Sequence, residues 1–388
     1  MKLLHIAFIP VMFSHWFGWV ISLGYVFCLV GALFLSRLYL DHLYLHKVAI
    51  GVVLFVSFFV TINYFNLVAG INNSVVYSYL YYYLSLFILV AIVLLARPWK
   101  VIEIQKIASV IFWISFYSIA VEFLLVNFAG ISKEYMPGIR YSPSYYGDFL
   151  GWHRPFGLTG QSSVNGGILL FSYLLLAEHK IASIKAVLAL IVGALLTISG
   201  QATLSVLLVL GFLLFDRVDS RLAKMVLGVS FVLFMIFILL VEVHPKVSLE
   251  YVIYVLWEKA DFAGTISILN DWQIFFGSLG LANREGLPSN EVYLNEFVRL
   301  YGLVFTILYW VFVWFLVRRA RNRFSWFAGC FVASLHYPTI IYIEAQLPLA
   351  LLYLSTLQDS IFDDQKNIQM DRKVKLEIID IELKSDAI

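Results

Sequence analysis

Long apolar segments follow one another along almost the whole of this chain. Hydrophobic residues make up 61% of its 388 residues and charged residues only 13%, about half of the roughly 25% that soluble domains carry. A membrane-spanning helix needs about 20 apolar residues, so the chain is expected to be all-α, a polytopic integral membrane helix bundle with about 12 transmembrane helices. The predicted segments are 4–16, 18–35, 48–67, 77–96, 107–128, 164–178, 183–199, 203–215, 224–243, 300–317, 325–343 and 346–358.

The last two of these segments contain Pro338 and Pro348. Proline removes a backbone donor and breaks or kinks a helix, so a re-entrant arrangement is an alternative to two simple spans there.

Lysine and arginine indicate the orientation, because cytoplasmic loops of membrane proteins are enriched in both. With both termini inside, most of the 27 basic residues lie in predicted inner loops or in the tail, and the cluster Arg318–Arg323 is the strongest anchor. The basic residues left outside are Lys133, Arg140, Arg154, Lys246, Lys259, Arg284 and Arg299.

Two predicted outer connections are much longer than the others, at about 129–163 and 244–299. Long connections in compact domains are usually functional or disordered, and the many aromatic residues here favour function. Within the second, 247–260 has the apolar spacing of an amphipathic helix on the membrane surface. We therefore predict one transmembrane domain over 1–358 and a charged cytoplasmic tail over 359–388.

Several classes of function are disfavoured. The net charge of +2 gives no reason to expect a nucleic-acid partner, and the two cysteines, Cys28 and Cys330, fall in apolar runs rather than in loops. No His/Cys cluster with metal-ligand spacing and no nucleotide-binding loop is present, so no metal and no cofactor are expected.

The first outer loop carries two arginines in a compartment that is otherwise poor in basic residues, Arg140 and Arg154. Guanidinium groups bind phosphate through paired, permanently charged hydrogen bonds. Aromatic rings beside them offer flat faces for sugars, although an interfacial aromatic belt explains such rings equally well. The predicted substrate-binding residues in this loop are Arg140, Tyr145, Tyr146, Trp152, His153 and Gln161, with Arg154 as a catalytic candidate.

The second outer loop offers a second anion clamp in Arg284 and a possible general base in Glu291. Glu291 is also consistent with a carboxylate placed favourably at a helix N-terminus, and Arg299 with a basic anchor at the membrane surface. Asn290, Tyr293 and Arg299 complete the predicted substrate-binding residues.

Glu122 is the clearest carboxylate inside a predicted span. Ionisable groups within a membrane are costly and mark functional sites by default. Glu242 and Glu344 lie nearer helix ends, where a structural role is easier to explain.

Three segments together resemble the bacterial O-antigen polymerases and ligases. HRPFGLTGQSSVNGGILL (153–170) is similar to the arginine–glycine segment that begins a span in that family, and 195–210 to the hairpin that follows. Residues 272–310 resemble the second large loop and its exit helix. The Ser-Arg pair common near the hairpin turn is replaced by Ser199-Gly200. Arg140 also begins a weak Arg-x10-Gly match to polymerase loops.

The resemblance implies a GT-C-like glycosyltransferase of the bacterial inner membrane. Such polymerases join undecaprenyl-pyrophosphate-linked oligosaccharide repeats on the periplasmic face into O antigen, capsule or exopolysaccharide, beside flippase and chain-length regulator proteins. Ligases of the family carry a His-Asn pair where this chain has Asn290-Glu291, which favours polymerase over ligase. Arg154 and Arg284 would then stabilise the leaving pyrophosphate, Arg140 would guide it, and Glu291 would be the base, with Glu122 in reserve.

Two other classes of function stay open. A lipid-linked oligosaccharide flippase would concentrate polar groups at mid-membrane, whereas here they concentrate in the outer loops. A non-catalytic scaffold would use the tail over 359–388 as its docking element.

Overall fold

The computed structural model describes residues 101–136, 151–218, 271–277, 293–335, 339–342 and 344–356, with Met12 and isolated positions between 220 and 253. Every regular element in these ranges is helical, and they contain no β-strand. The all-α prediction is therefore confirmed for the part of the chain that is described.

The helices coincide closely with most of the predicted apolar segments in the described ranges. Their limits differ by a few residues from the predicted segments 107–128, 164–178, 183–199, 203–215 and 346–358. The helices are α1 (Val101–Asn127), α2 (Ser162–Glu178), α3 (Ile184–Leu196), α4 (Gly200–Arg217), α5 (Asp271–Phe276), α6 (Tyr293–Val317), α7 (Arg323–Val332) and α8 (344–356), with short 3-10 turns at Lys133–Tyr135 and Thr339–Ile341.

Serine residues mark where two of the apolar helices begin. The hydroxyl of Ser183 accepts the backbone N–H of Ala186 at the start of α3, and Ser199 does the same for Ala202 in α4. A side-chain oxygen at this position satisfies an amide that the helix itself leaves without a partner. The Ser199 cap divides the apolar stretch over 184–215 into α3 and α4.

Helix α2 lies at the centre of the described bundle and contacts α1, α3, α4 and α7. Every residue from Ser162 to Ala177 is buried, as expected for a helix that is apolar on all sides. Gly166 and Gly167 let neighbours approach closely, because a Cβ added to them would lie 2.3 Å from the Ala202 Cβ and 2.5 Å from the Thr339 Cγ2, respectively.

Two helices depart from the predicted regular spans. Helix α6 begins at Tyr293 and is kinked at Gly302, whose φ is 79° and ψ 168°. The prediction of one helix over 325–343 is wrong, because α7 ends at Val332 and a 3-10 turn follows at Thr339–Ile341.

On the two sides of the break after α7, Ser334, Thr339 and Ile340 are buried, and side chains bind the backbone there. Gln201 and Thr339 both donate to the Ala333 carbonyl, and Gln346 donates to the Ile340 carbonyl at 3.1 Å. Irregular backbone surrounded by protein needs such partners, and in a membrane it is tolerated only when buried in this way.

The described connections between the helices lie at two opposite ends of the bundle. At one end, Gln105 donates to the His179 carbonyl at 3.4 Å, and the Glu178 carboxylate accepts the backbone N–H groups of Arg321 and Asn322. We call this the basic end, because the turns there carry Lys180, Lys185, Arg318, Arg319, Arg321 and Arg323.

At the other end, the end of α1 meets the residues that lead into α2, and the start of α2 meets the start of α4. Asn127 binds the main chain of His153, and the Ser199 hydroxyl donates to the Ser163 hydroxyl at 2.9 Å. We call this the Arg154 end. The candidate functional site lies here.

Among the described residues, one helical stretch, Ile104–Asn127, is long and apolar enough to cross a membrane. Shorter apolar helices follow at Ser162–Glu178, Ile184–Leu196, Gly200–Phe215 and Gly302–Val317. The predicted segments 18–35, 48–67 and 77–96, all of 4–16 except Met12, most of 224–243 and 247–260, and the tail over 359–388 lie outside the described residues.

Candidate functional site

The structure describes the side chains of five predicted site residues, and all five belong to the Arg154 end: Glu122, Trp152, His153, Arg154 and Gln161. Tyr293 and Arg299 lie in α6, of which only the backbone is described at these positions. The other predicted site residues lie outside the described ranges: Arg140, Tyr145, Tyr146, Arg284, Asn290 and Glu291.

Residues 153–161, which we call the 153–161 loop, form the last part of the connection between α1 and α2. They pass from beside the end of α1 to the start of α2. The carboxylate of Glu122 supports the first half of this loop. Its Oε1 accepts the Phe156 N–H at 2.7 Å, and its Oε2 accepts the Gly157 N–H at 2.8 Å. His153 Nε2 lies 3.0 Å from Oε1. Glu122 is 6% exposed and His153 3% exposed, so the ring of His153 faces this buried carboxylate.

A second residue of α1, Asn127, fixes the main chain of His153 from both sides. Its Oδ1 accepts the His153 N–H at 2.7 Å, and its Nδ2 donates to the His153 carbonyl at 3.2 Å. The same amide donates to the Phe123 carbonyl at 3.0 Å. The residue directly before Arg154 is therefore bound to the last turns of α1.

Asn165, in the first turns of α2, supports the second half of the loop. Its Oδ1 accepts the backbone N–H groups of Leu158 and Thr159 at 3.1 and 3.2 Å and the Thr159 hydroxyl at 3.1 Å. Its Nδ2 donates to the Phe156 carbonyl at 2.6 Å. Two side chains, Glu122 and Asn165, thus satisfy all four amides from Phe156 to Thr159.

A Gly-Leu-Thr-Gly turn over 157–160 leads into α2. Gly157 and Gly160 have φ angles of 55° and 74°, which glycine adopts without steric cost. A Cβ on Gly157 would lie 2.5 Å from Asn165 Nδ2. Glycine is therefore required there both by the turn and by the packing of Asn165.

Arg154 reaches from this loop to the first residue of α2, where its Nη2 donates to the Ser162 hydroxyl at 2.8 Å. The N-cap residue of α2, Gln161, makes no side-chain capping hydrogen bond. Amide groups at a helix start carry a partial positive charge. A guanidinium held beside such a helix start forms a local positive potential that suits an anionic ligand.

Trp152 lies beside this loop in an aromatic cluster at the end of α1. Its ring stacks on Phe123, with centroids 5.8 Å apart and planes at 15°, and lies 5.5 Å from the ring of Phe128. Trp152 is 43% exposed and Phe128 65% exposed. The cluster therefore presents aromatic surface at the Arg154 end, and the role of Trp152 in holding sugars stays a prediction.

Sequence reasoning missed Asn127 and Asn165. The only sign of either residue in the sequence is an amide side chain close to the end of an apolar segment, which by itself is weak. Gln161 was predicted to bind substrate, and its Oε1 is buried without a hydrogen-bond partner. Among the described residues, no three His, Cys, Asp or Glu side chains are grouped closely enough to hold a metal ion.

Compared with known proteins, the chain matches no family model, no curated protein and no solved structure.

Proposed function

We propose that this protein is an integral membrane glycosyltransferase of about 12 spans that polymerises undecaprenyl-pyrophosphate-linked oligosaccharides at the periplasmic face of the bacterial inner membrane. The observation that carries the proposal is the position of Arg154, held by a hydrogen-bonded loop beside the start of α2. A diphosphate leaving group is an anion for which this arrangement is suited.

The surface of the described helices supports a lipid environment. Helix α1 exposes Tyr117, Val121 and Leu124, and α3 exposes a stripe formed by Ile184, Leu188, Val192 and Leu195. Surface helices of soluble proteins place charged and polar residues on the outer face. Large apolar side chains on the outside of adjacent helices instead suit contact with lipid.

The two ends of the bundle support the proposed orientation. The turns at the basic end carry lysines and arginines from two different connections, whereas the Arg154 end contains a hydrogen-bonded loop and aromatic surface. The positive-inside rule would put the basic end in the cytoplasm. Arg154 would then face the periplasm, where lipid-linked repeat units are polymerised in the resembled family.

In the proposed reaction, a hydroxyl of the incoming repeat unit attacks the anomeric carbon of the lipid-linked chain. The bond from that carbon to the pyrophosphate oxygen breaks, and undecaprenyl pyrophosphate leaves with the bonding electrons. Arg154 and Arg284 stabilise the charge that develops on this leaving group, and Arg140 guides it. Glu291 takes the proton from the attacking hydroxyl.

Deletion of the gene tests this function through the glycans that accumulate. Single repeat units on surface lipid, with long chains lost, are the expected result. Long chains retained on undecaprenyl, with none transferred, would instead indicate a ligase. Repeat units trapped on the inner leaflet would indicate a flippase, and unchanged polysaccharide would contradict all three. Pull-downs that require 359–388, with normal polymer in arginine variants, would indicate a scaffold.

Single cysteines test the orientation. In a background without Cys28 and Cys330, a cysteine at Tyr135 is expected to react with a membrane-impermeant maleimide applied to intact spheroplasts. Cysteines at Lys180 and Arg319 are expected to react only after the membrane is permeabilised, because the positive-inside rule puts their turns in the cytoplasm. The reverse pattern, or equal labelling before permeabilisation, would contradict the proposed orientation.

A further inference from the structure

A buried carboxylate inside an apolar helix requires an explanation, because burying a charge without partners is very costly. Glu122 has three hydrogen-bonding partners, the His153 ring and the amides of Phe156 and Gly157. All three belong to the 153–161 loop, and they lie on both sides of Arg154 in the sequence. The partners of Glu122 therefore flank Arg154, the arginine to which the proposed function assigns the leaving group.

The same contacts argue against Glu122 as the general base. A general base must offer a lone pair to the proton it removes, within hydrogen-bond reach of the substrate. Both carboxylate oxygens of Glu122 already accept from the loop, and the residue is 6% exposed. A substrate hydroxyl would have to displace a loop amide to reach either oxygen.

We propose that Glu122 is a positioning residue, which holds the 153–161 loop so that the Arg154 guanidinium stays at the start of α2. This inference rests on the proposed function and specifies how its site is built.

The stretch of main chain between Arg154 and the amides that Glu122 binds is short and stiff. One residue, Pro155, separates Arg154 from the first amide that Glu122 binds, and the proline ring fixes φ near −65°. On the other side, Asn127 holds the main chain of His153. Arg154 is thus connected at both backbone ends to groups that α1 holds in place.

Helix α2 binds the other half of the 153–161 loop. Asn165 binds the amides of Leu158 and Thr159 and the carbonyl of Phe156, while Ser162 accepts from Arg154 itself. Loosening the Glu122 contacts would release the half of the loop that carries Arg154, and α2 would stay in place. A displacement of about 1 Å in a positioned group can lower a rate by about 100-fold.

The test compares Glu122→Gln with the wild type in lipid nanodiscs, using a synthetic undecaprenyl-pyrophosphate-linked oligosaccharide and single-turnover elongation. Glutamine keeps the shape of the side chain but replaces one acceptor oxygen with an NH₂ donor. We expect elongation to fall by about 10- to 100-fold, while the acidic limb of the pH–rate profile is retained. In an Arg154→Ala background we expect no further loss, because Glu122 acts through Arg154.

The matched control is Glu134→Gln, an exposed carboxylate at the same end of the bundle, which is expected to behave as wild type. Asn127→Ala is a second, independent test, because the amide side chain that it removes cannot act as a general base. It removes the amide that holds His153, and it too should lower elongation only when Arg154 is present. If Glu122→Gln does not fold, Asn127→Ala still tests whether the contacts between α1 and the 153–161 loop act through Arg154, and normal elongation in this variant would contradict the inference.

Several results would overturn the inference. Loss of the acidic limb in Glu122→Gln would identify a base, and an additive loss in the Arg154→Ala background would identify a separate role. A lower melting temperature with unchanged turnover per folded molecule would identify a purely structural contact. If the wild-type protein elongates no substrate, the proposed function fails and this inference falls with it.

Discussion

Replacing Arg154 with alanine is expected to lower polymer formation by about 100- to 1,000-fold, the effect typical of removing one group that stabilises transition-state charge. The guanidinium is placed beside the start of α2, where its Nη2 donates to the Ser162 hydroxyl. Arg154→Lys should recover little activity, because an ammonium lacks the planar, paired donors that match a phosphate. Polymer length and yield, measured in a deletion strain that expresses each variant, check this expectation.

The control for Arg154 is Arg323→Ala, which removes an exposed arginine at the basic end, beside the ring of Phe324. Polymer should be normal in this variant. Membrane levels of both variants, measured by immunoblot, separate loss of activity from loss of protein. Normal polymer in Arg154→Ala would contradict the proposed site, and a matching fall in protein level would assign Arg154 to folding.

Replacing Gly302 with alanine is expected to prevent the protein from folding stably. Its backbone, at φ 79° and ψ 168°, lies in a region that is essentially restricted to glycine and costs other residues roughly 1–3 kcal/mol. An added Cβ would also lie 2.3 Å from the Phe275 carbonyl oxygen and 2.5 Å from the Gly277 nitrogen. These are backbone atoms, so relief requires α5 to move, at about 1–3 kcal/mol more.

Alanine substitutions at two other glycines separate the two causes of this loss, backbone strain and steric overlap. Gly130 has a φ of 66° but no atom within 4 Å of an added Cβ, so Gly130→Ala measures backbone strain alone. Gly228 has helical backbone and equally open space, so alanine there should be neutral or stabilising by about 0.5–1 kcal/mol. Size-exclusion profiles and melting temperatures in detergent provide the comparison. A normal profile for Gly302→Ala would show that the kink is not required.

The helices of the described part were largely predictable from local pattern. Apolar runs ended by polar or basic residues gave the positions of α2 and α3 to within a few residues, because the length of an apolar run limits the length of a helix. The early end of α7 was only partly predictable. Pro338 indicated an interruption, but the helix stops at Val332 and the break is supported by Gln201 of α4, which is distant in sequence.

The candidate site was likewise predictable from the sequence only in part. Arg154 was recognisable, since an arginine followed by glycines and an apolar helix is a local pattern. The pairing of Glu122 with His153 spans 31 positions of the sequence, and no periodicity indicates it. Asn165 looked like one more polar residue near a helix start, yet it binds three amide or hydroxyl donors of the loop.

Composition and apolar spacing therefore sufficed for the all-helical character of the described part, for the limits of most of its helices and for the choice of Arg154 as a candidate. These properties depend on contacts between near neighbours in sequence and on the balance of apolar and charged residues. The partners of Glu122, the close packing at Gly166 and the kink at Gly302 were decided only by the tertiary structure. Each depends on which distant helix lies beside the residue, because a buried polar group or an absent side chain acquires its role from what packs against it.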